Sequence, residues 1–105
     1  MPSATSERYP DHLMPFVGSR EEHDERFADA LEAFLVNYGY NTARAYRADL
    51  DDIYLWARER GLDFFELTEA QVRQYQALLR RRKFSEGTVR RRGTAWRAFK
   101  RSACL

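Results

Sequence analysis

Cysteine is almost absent from this chain: Cys104 is the only one. A single thiol forms no disulfide within the chain and builds no metal site, which suits a reducing compartment. Histidine is nearly as scarce. His12 and His23 are the only two, and neither has a second ligand at metal spacing. His12 falls in the N-terminal stretch, and His23 reads as an exposed residue in the first turn of a helix. A Ser/His/Asp or Cys/His arrangement needs a buried, supported histidine, and none is expected here. The five glycines, at 18, 39, 61, 87 and 93, sit singly. That excludes a glycine-rich, lysine-containing phosphate loop. Long apolar runs are missing too. The longest aliphatic or aromatic run is Ile53 to Ala57, five residues, so neither a signal peptide nor a membrane span is expected. The carboxylates fall on helix surfaces, and Asp51 and Asp52, being adjacent, point apart. No catalytic constellation, cofactor or metal is expected.

What is present suffices for one small domain. The chain has 105 residues, 44% of them hydrophobic and 14% aromatic, enough material for a modest core. The formal charge is only +2, but its distribution is uneven. Residues 1–40 carry net −5, residues 41–79 net −2 and residues 80–105 net +9. Such a dipolar molecule presents its basic end to a polyanion. The basic end centres on Arg80 to Arg101, where ten of 22 residues are Lys or Arg and only Glu86 is acidic.

Residues 1–20 contain Pro2, Pro10 and Pro15 and show no sustained periodicity, so they are expected to form a flexible arm. Tyr9, Leu13, Met14, Phe16 and Val17 are apolar enough to dock on the rest. A first helix is predicted from Ser19 or Glu21 to Tyr38, with Ser19 as N-cap, a stripe of Phe27, Leu31, Phe34, Leu35 and Tyr38, and Gly39 as a left-handed stop. A second is predicted from Asn41 or Thr42 to Arg60, ended by Gly61. Its core stripe is Tyr46, Leu50, Ile53, Trp56 and Ala57. Arg44 and Arg47 face outward in its first turns, and Arg47 has the separation for a pair with Asp51. Leu62, Phe64, Phe65 and Leu67 read as a plug for the bundle. Thr68 with Gln71 predicts a capping box opening a third helix, which buries Val72, Tyr75, Leu78 and Leu79. After a short turn at Lys83 to Ser85, Ser85 caps a fourth helix. Val89, Trp96 and Phe99 face its core, while Arg90, Thr94, Arg97 and Arg101 recur at steps of four, three and four along another face. A helix with one buried and one basic stripe suits the groove of a nucleic-acid duplex.

Asn41-Thr42, Tyr46 and Asp49-Leu50, then Ile53 and Trp56, resemble the N-T-x-x-x-Y-x-x-D-L motif of tyrosine recombinases. Gly61-Leu62, Leu67-Thr68, Val72, Tyr75 and Leu78 continue the pattern. Phe84-Ser85-Glu86-Gly87-Thr88-Val89, followed by Arg91, Arg92, Ala95, Arg97 and Phe99, resembles the family's S-x-x-T-[IV] stretch and the helix after it. The likeness runs from about Phe27 to Lys100 and is to the N-terminal core-binding domain of phage integrases and Xer-type recombinases. It implies an all-α, SAM-like orthogonal bundle of four helices over residues 21–105 that forms half of a clamp around DNA. It further implies DNA contacts at Thr42, Arg44 and Arg47 from the second helix. From the fourth it implies Ser85, Thr88, Arg90, Arg91, Thr94, Arg97 and Arg101. Arg92 lies nearer the core and packs its stem. The family's nucleophilic tyrosine and its activators belong to a separate catalytic domain, so Tyr46 is a core tyrosine and not a nucleophile. Two positions depart from the pattern. Gly93 stands where a large apolar residue is usual, a gap that Trp96 could fill, and Lys83 stands where glycine is frequent.

The resulting expectation is a DNA-binding domain of a site-specific tyrosine recombinase, non-catalytic alone, cytoplasmic and nucleoid-associated. Its partners would be double-stranded DNA, a C-terminal catalytic domain and other recombinase protomers, with no membrane. Arg101 is followed by no capping signal, so a longer natural chain is expected. The alternatives are a helical protein-interaction module, or a stand-alone DNA-binding protein without a recombinase half.

Overall fold

Ser19 opens the first described helix because its side chain does what a free helix end requires. In the computed structural model, which describes residues 19–103, the Ser19 hydroxyl accepts from the Glu22 N–H at 3.0 Å. The Glu22 carboxylate accepts in turn from the Ser19 N–H at 3.3 Å. This reciprocal capping box opens α1 (Arg20–Leu35). The rest of the predicted N-terminal arm lies outside the described residues, as does Cys104.

The end of α1 departs from expectation. The helix stops at Leu35 rather than Tyr38, and the chain tightens through Asn37 N–H to Phe34 O and Tyr38 N–H to Leu35 O. Gly39 is not a left-handed stop. Its φ is −68°, and it serves as the N-cap of α2 (Tyr40–Glu59), with no side-chain capping bond. Asn41 and Thr42 therefore lie inside the first turn of α2 and do not cap it. The other end follows expectation: Arg60 caps α2, and Gly61 adopts φ 72°, a conformation that costs glycine nothing.

A single 3-10 turn (Phe64–Glu66) then plugs the bundle, with Leu62, Phe64 and Leu67 buried. Thr68 and Gln71 form the predicted capping box at the head of α3 (Glu69–Arg81). The link to α4 (Glu86–Ala103) closes α3 in a specific way. Lys83 N–H reaches Arg80 O at 3.0 Å and Phe84 N–H reaches Leu79 O at 3.1 Å. These are the paired bonds of a Schellman motif, which demands a left-handed residue. Lys83 supplies it with φ 69°. The turn thus keeps the glycine-type conformation without the glycine.

The helix α4 is the centre of the packing, in contact with α1, α2 and α3. Its Phe99 meets Phe27, Phe34, Phe64 and Phe65. Each fully buried ring or branched side chain of this kind contributes about 1.5–3 kcal/mol by leaving water. Tyr46 is half-buried and packs on Phe34 and Tyr38. Gly93 leaves no gap: a Cβ there would lie 2.6 Å from Gln76 Nε2, so the side chain of Gln76 on α3 already occupies the space, and Trp96 is not needed to fill it.

His23 is also placed differently from expectation. It sits one turn before Phe27 on the buried stripe of α1 and is buried itself. Its Nε2 accepts from the Phe64 N–H at 3.4 Å, and its ring stacks on Tyr54. Burial lowers its pKa, more than the nearby Asp63 raises it.

Candidate nucleic-acid interface

The head of α4 is built by hydroxyls. Ser85 Oγ accepts from the Thr88 N–H at 3.1 Å and lies 3.1 Å from Thr88 Oγ1, so the two hydroxyls hold each other at the helix start. From there Arg90, Thr94 and Arg101 form an exposed stripe. Neither arginine of this stripe makes a salt bridge among the described residues, although Arg90 is near enough to Glu86 to help lower its pKa, and Arg81, Arg82 and Lys83 in the preceding turn make none either.

The stripe is flanked by two arginines that are paired. On one side, Arg97 binds Glu69 of α3 through two N–H donors, at 2.9 and 3.0 Å. Those hydrogen bonds lower the Glu69 pKa and raise that of Arg97. On the other side, Arg91 binds Asp49 of α2 through Nε and Nη2, both at 2.8 Å. Arg92 is tied down further inside. Its Nη1 donates to Asp52 at 2.8 Å and to the Tyr75 hydroxyl at 2.9 Å, and its Nε lies 3.4 Å from Asp49. Tyr75 in turn donates to Asp52. Arg92 therefore does more than pack its stem: it is held in a charge network between the buried Asp49 and the half-exposed Asp52. At the turn, Arg80 pairs with Glu86.

The three sites expected on α2 are not drawn together. Thr42 precedes Asp49 by two helical turns and shares its face. Arg47 precedes Asp49 by two residues and so points to the other side of α2. It pairs there with Glu32 of α1 at 2.6 Å, and not with Asp51. Arg44 is exposed, beside a shallow groove lined by Asn41, Ala45 and Ala48.

Sequence reasoning missed the acidic partners, Asp49 above all. It is fully buried and bonded to two arginines of α4. The signal was available: position 49 lies three residues after Tyr46 and four before Ile53, so it falls on the core stripe of α2. A carboxylate there needs cationic partners inside the bundle. Among the described residues no cluster of three or more His, Cys, Asp or Glu side chains could hold a metal ion, and no helix is long and apolar enough to cross a membrane.

Among the described residues, four helices joined by short turns, with a basic outer face on the fourth, define an all-α, SAM-like bundle. Residues 25–104 match the family described as phage integrase, N-terminal SAM-like domain, and the chain belongs to that family. This is the N-terminal domain of integrases and is not itself their catalytic domain. No curated protein and no solved structure matches the chain.

Proposed function

We propose that this domain binds duplex DNA as the core-binding part of a site-specific tyrosine recombinase and orients a separate catalytic domain on it. The observation that carries the reading is the exposed stripe of Arg90 and Arg101 on α4, which make no salt bridge among the described residues, together with the exposed Arg81, Arg82 and Lys83 in the preceding turn. A basic helix face with its neighbouring helix head fits the phosphates and base edges of one groove. In this reading Ser85 and Thr88 hold phosphate at the start of α4. Arg90, Arg91, Thr94, Arg97 and Arg101 run along the groove, and Thr42, Arg44 and Arg47 contribute from α2. Arg47 and Arg97, paired with the exposed Glu32 and Glu69, exchange one partner for another and add little net attraction. The cations that make no salt bridge supply most of the affinity. Other protomers of the recombinase would share the same DNA, and the domain works in the compartment that holds it.

The test is a titration of the 15N-labelled chain with a short mixed-sequence duplex, repeated across salt. With about four to six phosphates neutralised, log K falls against log salt with a slope of about −4 to −5. Shift changes should concentrate at Thr42 to Arg47 and Ser85 to Arg101. A slope near zero, or changes confined to the acidic α1, refutes the reading. Changes confined to the exposed Val36 and Tyr40 at the α1–α2 turn would favour a protein-interaction module instead.

A further inference from the structure

We propose that Asp49 is a positioning residue of the DNA-binding face: buried between α2 and α4, it locks the guanidinium of Arg91 in one orientation at the edge of the basic stripe. The inference rests on the DNA-binding reading above and deepens it.

The two arginines that flank the stripe look alike in contact but differ in burial. Arg97 and its partner Glu69 are both open to solvent, with side chains 42% and 49% exposed. Such a pair is weak, and a phosphate can replace the carboxylate. Arg91 is 48% exposed, but its partner Asp49 is 0% exposed. Pulling Arg91 away would strip a buried carboxylate of its main partner, which is strongly unfavourable. Arg97 is therefore free to swing onto DNA, whereas Arg91 must act from where it stands.

That stance leaves one corner of the guanidinium available. Nε and Nη2 are both committed to Asp49, and Nη1 has no partner among the described residues. The carboxylate is itself held. Arg92 lies against its other side and is anchored by Asp52 and Tyr75. The chain from Tyr75 through Arg92 and Asp49 to Arg91 thus converts buried packing into a fixed outward donor. A side chain ordered before binding loses no rotamer freedom when the ligand arrives.

Positioning and simple charge predict opposite signs, which makes the test sharp. Asp49→Asn removes a negative charge, so by electrostatics alone the variant should bind DNA more tightly. By positioning it should bind about fivefold more weakly, because Arg91 must now be ordered on binding. Affinity is measured by fluorescence anisotropy with a short mixed-sequence duplex at low salt. The parent chain is compared with Asp49→Asn, Arg91→Gln and the double variant, each checked for helix content. The expected result is that Asp49→Asn weakens binding alone and adds nothing to Arg91→Gln. Unchanged or tighter binding by Asp49→Asn overturns the inference, as does full additivity in the double variant. If Asp49→Asn fails to fold, Arg91→Lys decides. Lysine keeps the charge but cannot make the forked pair, so it should bind like Arg91→Gln, and binding equal to the parent overturns the inference. A parent chain that does not bind the duplex refutes the DNA reading itself, independently of any variant.

Discussion

Gly93→Ala is the most informative single substitution in the core. In a helix interior, alanine is favoured over glycine by about 1 kcal/mol. At this site the new methyl would sit 2.6 Å from Gln76 Nε2 and 3.3 Å from Arg97 Nη1. The glutamine must move, and it then gives up its 3.0 Å hydrogen bond to the Val89 carbonyl. A bond of that kind contributes about 1 kcal/mol. The two effects nearly cancel, so Gly93→Ala alone should change stability by less than about 0.5 kcal/mol. In a Gln76→Ala background nothing on α3 is displaced, and the same substitution should stabilise by about 1 kcal/mol. Urea denaturation reads the difference: with a slope of about 1–1.5 kcal/mol per molar, the midpoint should rise by about 0.7–1 M in the second background only. An equal gain in both backgrounds would refute the claim that Gln76 fills the space. Gly93→Leu separates the same claim from the idea of a gap, since a leucine should destabilise by about 1–3 kcal/mol here and would stabilise an empty site.

Lys83→Gly should stabilise the domain by about 1 kcal/mol in urea, because φ 69° is costly for any residue with a Cβ; no gain would mean that the turn relaxes in solution. His23 should make stability fall with acid. Its folded pKa lies below the ordinary 6.5, chiefly through burial, opposed by Asp63 and Asp24 and aided by Arg26 and Arg58. The unfolded chain therefore takes up the proton first, and stability is level above about pH 6.5 and declines below it. His23→Gln should flatten the urea midpoint just below about pH 6.5, while Asp24, lowered by its bonds to Arg58 and Tyr54, adds stability above its ordinary 3.8 and loses it as pH falls through that value toward the lowered folded one. Arg90→Glu combined with Arg101→Glu should abolish binding to duplex DNA in anisotropy without loss of helix content. Glu22→Lys should leave binding intact; equal effects of the two changes would mean that the binding face is elsewhere.

Much of the fold was legible in the sequence because local signals and periodicity agreed. Thr68 with Gln71 announced the head of α3, Gly61 the end of α2, and Val89, Trp96 and Phe99 the buried face of α4. Polar residues standing on those same stripes were harder to read. His23 lies four before Phe27, and Asp49 lies four before Ile53. Each was read as a surface group from its chemistry, although its position placed it inside. What distinguishes them is the partner, and the partners are remote in sequence: Phe64 and Tyr54 for His23, Arg91 and Arg92 for Asp49. The basic stripe of α4 was visible as a spacing, but which of its arginines are neutralised depends on acids of α2 and α3. Arg47 shows the same limit. A fourfold spacing suggested Asp51, and the tertiary neighbour Glu32 took its place.

The central place of α4 also governs when this domain can exist. Phe99 closes the aromatic core between α1 and the 3-10 turn, so the first three helices alone leave Phe27, Phe34 and Phe64 without their common neighbour. A nascent chain must have released nearly the whole of α4 from the ribosome before the bundle can shut. Of the four described helices, the one that carries the cations is made last, and its burial completes the bundle. The basic stretch therefore becomes an ordered surface in the same cooperative step that makes the domain stable.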